Sequence, residues 1–150
     1  MDAVTNNAYL ISYSSAQTTS LQVVTVDSAT PNKGTVVQTK TVQETIADMV
    51  TLSATSGLFV GIGQDQEANL SFDVIVAGTV NPTTYAISAL SQSGQYAGNY
   101  SVSPRITRLS DTEFAIAYYD QSPQKMFTRY GERLPLHRNN LDFVILPLGT

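Results

Sequence analysis

The chain has 150 residues, enough for one domain with a real core, with 42% hydrophobic residues, no cysteine and a net charge of −4. The hydrophobic content excludes a disordered chain, the missing cysteine excludes disulfides and thiolate metal sites, and the negative charge argues against a nucleic-acid grip by long-range attraction. Charged residues make up only 13%, about half the usual share, and Ser plus Thr supply roughly a fifth, a hydroxyl-rich balance common in secreted β-proteins.

Taken in order, MDAVTNNAYL has neither a basic n-region nor an apolar h-region, so no signal peptide is expected in it, although a longer precursor would still permit export. Ala8 to Tyr13 (AYLISY) alternates as a strand, followed by a second run from Leu21 to Val26. Asp27 to Gly34 (DSATPNKG) is a turn by its Asp, Pro, Asn and Gly, and Thr35 to Val42 alternates again. These three strands form a meander that begins at what would be the second strand of a first unit.

Glu44 to Val50 (ETIADMV) has Ile46, Met49 and Val50 at helical spacing but is too short to stand alone, and it reads as strand or coil. Leu52, the turn SATSG and Leu58 to Ile62 follow, then a loop from Gly63 to Asn69. Leu70 to Ala77 is a strand, Gly78 to Thr84 a turn and Tyr85 to Leu90 another strand. Next comes the clearest hairpin: Ile106 to Leu109, a polar turn from Ser110 to Glu113, then Phe114, Ile116 and Tyr118 alternating with Ala115, Ala117 and Tyr119. Met126 to Tyr130, Gly131, Pro135 and a closing strand from Asp142 to Leu146 complete the chain.

Two internal matches stand out. Leu52, turn and Leu58 to Ile62 reproduce the order of Leu109, turn and Phe114 to Tyr118, and Leu21 to Pro31 overlays Phe72 to Pro82 without a gap. The repeat length is about 50 to 55 residues with four strands per unit, which divides one all-β domain into units of about 1–45, 46–102 and 103–150. The expected fold is a set of antiparallel four-stranded meander repeats forming a partial β-propeller of about three blades, with a β-sandwich of about ten strands as the rival.

At Leu109 to Asp120 and Gly78 to Ile87 the chain resembles a repeat of large secreted proteins from diatoms, other stramenopiles and some bacteria. The resemblance covers most of residues 46 to 130 and implies propeller blades distantly similar to integrin-type extracellular repeats. The calcium loop of the integrin type is missing, since Asp65-Gln66-Glu67 and Asp120-Gln121-Ser122 offer one or two carboxylates where a hard cation wants several oxygens.

No catalytic constellation emerges. His137 is the only histidine, sits in a polar loop and has no nucleophile elbow to serve. Gly61-Ile62-Gly63 lacks the third glycine and the helix of a dinucleotide site, and Asp65 with Glu67 reads as a solvated pair in one loop, not a glycosidase dyad. No cofactor and no metal site is expected. The candidate binding residues are Tyr96, Asn99, Tyr100, Tyr119, Tyr130 and Arg129, because flat amphipathic rings beside amides and a guanidinium suit sugar or protein contact. The competing reading is that such tyrosines cover the core and the sheet. Asn69 and Asn99 head glycosylation sequons in form.

Cations concentrate in the last third, with Arg105, Arg108, Lys125, Arg129, Arg133 and Arg138, which reads as a solvated face or as one end of a head-to-tail contact. No apolar run approaches the roughly 20 residues that span a bilayer. The expectation is a non-enzymatic structural or adhesion repeat module, extracellular or at the cell surface. It would pack against neighbouring copies or the rest of a longer chain, with lectin-like glycan binding as the alternative and no nucleic-acid partner.

Overall fold

A computed structural model describes residues 1–15, 18–30, 33–65, 72–97, 101–120, 124–133 and 143–147. These form twelve strands: β1 (Asp2–Thr5), β2 (Ala8–Ser15), β3 (Thr18–Val26), β4 (Gly34–Val42), β5 (Thr45–Ser53), β6 (Leu58–Asp65), β7 (Phe72–Val80), β8 (Ile87–Ala97), β9 (Ser101–Arg108), β10 (Glu113–Asp120), β11 (Lys125–Arg133) and β12 (Phe143–Pro147). They pair in sequence order into three antiparallel four-stranded sheets, I (β1–β4), II (β5–β8) and III (β9–β12), none closed into a barrel. Nearest-neighbour pairing is what strands joined by short polar links do, because the loops are too short for anything but a hairpin.

One backbone hydrogen bond recurs in every sheet. The third strand's N–H reaches the carbonyl just before the second strand: Val26 to Asn7 at 2.8 Å, Val80 to Gly57 at 2.9 Å and Arg133 to Thr112 at 2.9 Å. Ala8, Leu58 and Glu113 therefore open equivalent strands, and Tyr9, Phe59 and Phe114 occupy one position. Two turns recur as well: the carboxylate of Asp27 accepts from the Ala29 N–H at 2.9 Å, and the side-chain oxygen of Asn81 accepts from the Thr83 and Thr84 N–H groups at 2.8 and 2.9 Å. Such side-chain turns are why Asp and Asn end third strands.

Three expectations change. Asp2–Thr5 is a first strand, so sheet I is complete in four; its short polar sequence hides it, and only Val4 is buried. The overlay of Leu21–Pro31 on Phe72–Pro82 gives way to one that places Asp27 on Asn81, and the match of Leu58 with Phe114 gives way to Phe59 with Phe114. Both earlier registers are displaced by an odd number of residues, which exchanges the two faces of a strand. The Glu44–Val50 segment, read as strand or coil, lies largely in β5 as strand.

The three sheets stack face to face, with sheet II in the middle. Call the face toward the preceding sheet the front and the other the back. The back of sheet I (Val4, Leu10, Leu21, Val23) packs on the front of sheet II (Met49, Phe59, Val74, Val76). The back of sheet II (Leu58, Val60, Ile62, Ile75) packs on the front of sheet III (Phe114, Ile116, Tyr118). Each phenylalanine so buried contributes about 1.5–3 kcal/mol. Sheets II and III approach most closely at their first strands, β5 and β9, and the contacts of sheet I with sheet II also run chiefly to β5.

Polar ties cross both junctions. The Asp48 carboxylate accepts the Ile106 N–H at 3.1 Å, Arg108 Nε donates to the Leu52 carbonyl at 2.6 Å, and Asp2 accepts the Thr51 N–H. Between sheets I and II the fully buried Thr19 hydroxyl accepts the Ile46 N–H at 2.8 Å, and Ser14 donates to the Ile46 carbonyl at 3.0 Å.

Candidate functional site

Stacking three sheets leaves two faces that no other sheet covers among the described residues. The register reads them off directly, because residues paired across strands share a face.

The front of sheet I carries the row Ala3, Tyr9, Val24, Val36, then Ile11, Gln22, Thr39, then Tyr13, Ser20, Thr41. These three rows contain no charged residue. Tyr13 is 69% exposed and Val36 51%, although both sit at sheet positions suited to packing.

The back of sheet III carries Thr107, Ala115 and Tyr130 in one row, Arg105, Ala117 and Thr128 in the next, and Tyr119 with Met126 beyond. Leu146 flanks Tyr130. Tyr119, Met126 and Leu146 are all exposed large apolar residues, at 37%, 68% and 50%. Between them the two alanines floor an open groove of about 230 Å³, walled by Arg105, Thr107 and Thr128. Its lining is mostly aliphatic.

One rim of this face is polar. The Tyr130 hydroxyl donates to Glu113 at 2.5 Å, with Glu132 at 3.4 Å. The accepting Glu113 carboxylate is the main reason the phenol is pushed up to about 12. Glu113 in turn is held below its ordinary value, by its hydrogen bond with Ser110 first and with Tyr130 second.

Of the predicted binding residues, Tyr119 and Tyr130 share the back of sheet III. Arg129 lies on the opposite face, where its Nε donates to the Tyr118 hydroxyl at 3.2 Å; Tyr118 also stacks on Phe127 with ring centroids 5.7 Å apart. That places Arg129 at the junction of sheets II and III. Tyr96 falls in β8, but its side chain, and the residues Asn69, Asn99, Tyr100, Glu67 and His137, lie outside the described part. Gly63, part of the truncated glycine motif, has a packing role: a Cβ there would come within 2.1 Å of the Thr45 carbonyl oxygen. Among the described residues no cluster of three acidic or histidine side chains could hold a metal, and no helix is long and apolar enough to cross a membrane.

Sequence reasoning missed the front of sheet I. A signal was present: AYLISY is apolar in both alternation phases through Ala8, Tyr9, Leu10 and Ile11, the mark of a strand covered on both sides. It missed the Ala115–Ala117 groove as well, because alanines in a strand look like filler until the sheet they face is known to be absent.

No protein family, no characterised protein and no solved structure matches this chain.

Proposed function

We propose that the chain is a non-enzymatic, extracellular structural or adhesion module, built as an incomplete β-propeller of three blades, that packs against a neighbour through its uncovered sheet faces. Several features support the blade arrangement. The sheets follow one another in sequence order and meet chiefly along their first strands, as blades do at a common axis. The sparse charge and abundant hydroxyls support an extracellular setting.

The observation that carries the reading is the concentration of exposed apolar side chains on the two end faces: Tyr13 and Val36 on one, Tyr119, Met126 and Leu146 on the other. Large apolar side chains left on a sheet face without a second sheet over them suit a docking surface.

A lectin-like use of the sheet III face is the competing reading, since Tyr119 and Tyr130 share it with Arg105. The groove floor is made of methyl groups, and the Tyr130 hydroxyl is already given to Glu113. An apolar partner fits that chemistry better than a sugar, which needs several free donors and acceptors.

Light scattering across a concentration series tests the proposal. Mass above that of one chain is expected; a single chain at every concentration, together with signal on a glycan array, would replace this reading with the lectin one.

A further inference from the structure

We infer that the docking partner is a second copy of this chain, joined head to tail, with the front of sheet I of each copy lying on the back of sheet III of the other. The inference rests on the blade reading above and adds to it the identity of the partner, the two faces that meet, and the number of copies.

Positional equivalence comes first. Tyr9, Phe59 and Phe114 hold the same place in their sheets, fixed by the recurring third-strand hydrogen bond. Two residues on stand Ile11, Gly61 and Ile116, and two further stand Tyr13, Gly63 and Tyr118. The front of sheet III thus presents Phe-Ile-Tyr, and the front of sheet I presents Tyr-Ile-Tyr. In sheet III this trio is packed on sheet II, at 0%, 0% and 2% exposure. In sheet I no other sheet lies over the same trio among the described residues; Tyr9 and Ile11 are half-buried and Tyr13 is 69% exposed. Sheet I carries the side chains of a packed front without a sheet to pack on.

The matching back is at the other end of the molecule. Facing the Phe114 trio, sheet II offers Leu58, Val60 and Ile62; the equivalent positions in sheet III are Glu113, whose carboxylate holds the Tyr130 hydroxyl at the rim, and Ala115 and Ala117. The smaller alanines open the groove of about 230 Å³. Bulky Tyr9, Ile11 and Tyr13 against that alanine floor form a knob and a hole, which is how tightly packed interiors are filled. An isologous contact between two fronts would set tyrosine against tyrosine, and one between two backs would leave both grooves empty.

Counting sets the stoichiometry. Propellers close with four to eight blades, and two of these three-sheet units together supply six, so a pair of units is enough to close a ring. A head-to-tail contact that closes at two copies satisfies both uncovered faces of both chains at once, whereas one that fails to close propagates as a filament. Once the first contact forms, the second is intramolecular and strengthens the pair.

The test uses Ile11→Arg, which spoils the front, and Ala117→Arg, which spoils the back; both side chains lie on uncovered faces, and circular dichroism checks that each variant folds. By sedimentation, the parent chain is expected at the mass of two chains, and each variant alone at the mass of one. An equal mixture is expected to recover the two-chain mass, because the sound front of one variant meets the sound back of the other. Loss of the pair with Ile11→Arg but not with Ala117→Arg would mean a front-to-front dimer and overturn the inference. Mass that grows with concentration past two chains would overturn ring closure while leaving the assembly reading in place. A parent that stays at one chain throughout would remove both.

Discussion

The Phe114 ring lies over Gly131 on the neighbouring strand, so closely that a Cβ added at Gly131 would meet ring atoms at 2.2 Å. The pair sits at the start of the front face of sheet III, and Phe59 faces Gly78 in the same register of sheet II. An aromatic residue paired with a glycine across strands thus recurs at this position in two of the three sheets.

Gly131→Ala is expected to lower stability by about 1–3 kcal/mol, because the ring has backbone behind it and sheet II in front. Phe114→Ala should cost more, about 3–5 kcal/mol, through loss of burial plus a cavity. Urea denaturation measures both; an unchanged midpoint for Gly131→Ala would show that the ring is free to shift.

Asp48 joins sheets II and III by accepting the Ile106 N–H at 3.1 Å. Asp48→Ala leaves that amide without its partner at the edge of a packed junction, at a cost of about 1–3 kcal/mol. Hydrogen exchange at the Ile106 amide should accelerate more than exchange within sheet I. Equal acceleration everywhere would mean that the junction does not open by itself.

Thr19 performs the corresponding task between sheets I and II, accepting the Ile46 N–H at 2.8 Å while wholly buried. Thr19→Val keeps the shape and removes the acceptor, so a loss of about 1–3 kcal/mol is expected, whereas Thr19→Ser keeps the oxygen and should lose less. Thermal melts of the two variants that coincide would refute the role of the hydroxyl.

Tyr130 makes one surface hydrogen bond sensitive to alkali. Its hydrogen bond to Glu113 favours the neutral phenol and raises its pKa from 10.0 to about 12. A raised value means that the folded state holds a proton the unfolded state has released. The contribution is therefore intact below pH 10 and fades as pH rises toward 12. Phenolate absorbance should show one tyrosine titrating late, and Glu113→Gln should bring it back toward the ordinary value; no such late tyrosine in the parent chain would sink the claim.

The hairpin at Phe114 to Tyr119 was readable in full, down to Tyr118 inward and Tyr119 outward, because one alternation phase is large and apolar and the other mixed. The grouping of strands by fours was readable for a related reason: turn residues such as Asp27 and Asn81 cannot continue a strand whose side chains they tie back to the backbone. Sheet II resisted. In Leu58 to Ile62 both phases are apolar, so pattern alone matched Leu58 to Phe114 when Phe59 is the true counterpart. Of the candidate binding residues, Tyr119 and Tyr130 share a face and Arg129 does not, a separation set by the odd and even positions of β11 against β10.

Local chemistry alone determined that the described residues are strands and turns, paired in order, with a buried apolar side to strands such as β2, β3 and β10. Which side meets which sheet, and hence that Tyr9, Ile11 and Tyr13 at one end and Ala115 and Ala117 at the other are left uncovered, was decided only when the sheets stacked. The reason is that a strand's side chains repeat every two residues, so a shift of one exchanges its faces, and which face is then covered depends on packing between sheets far apart in the chain, as in the tie of Asp48 to Ile106.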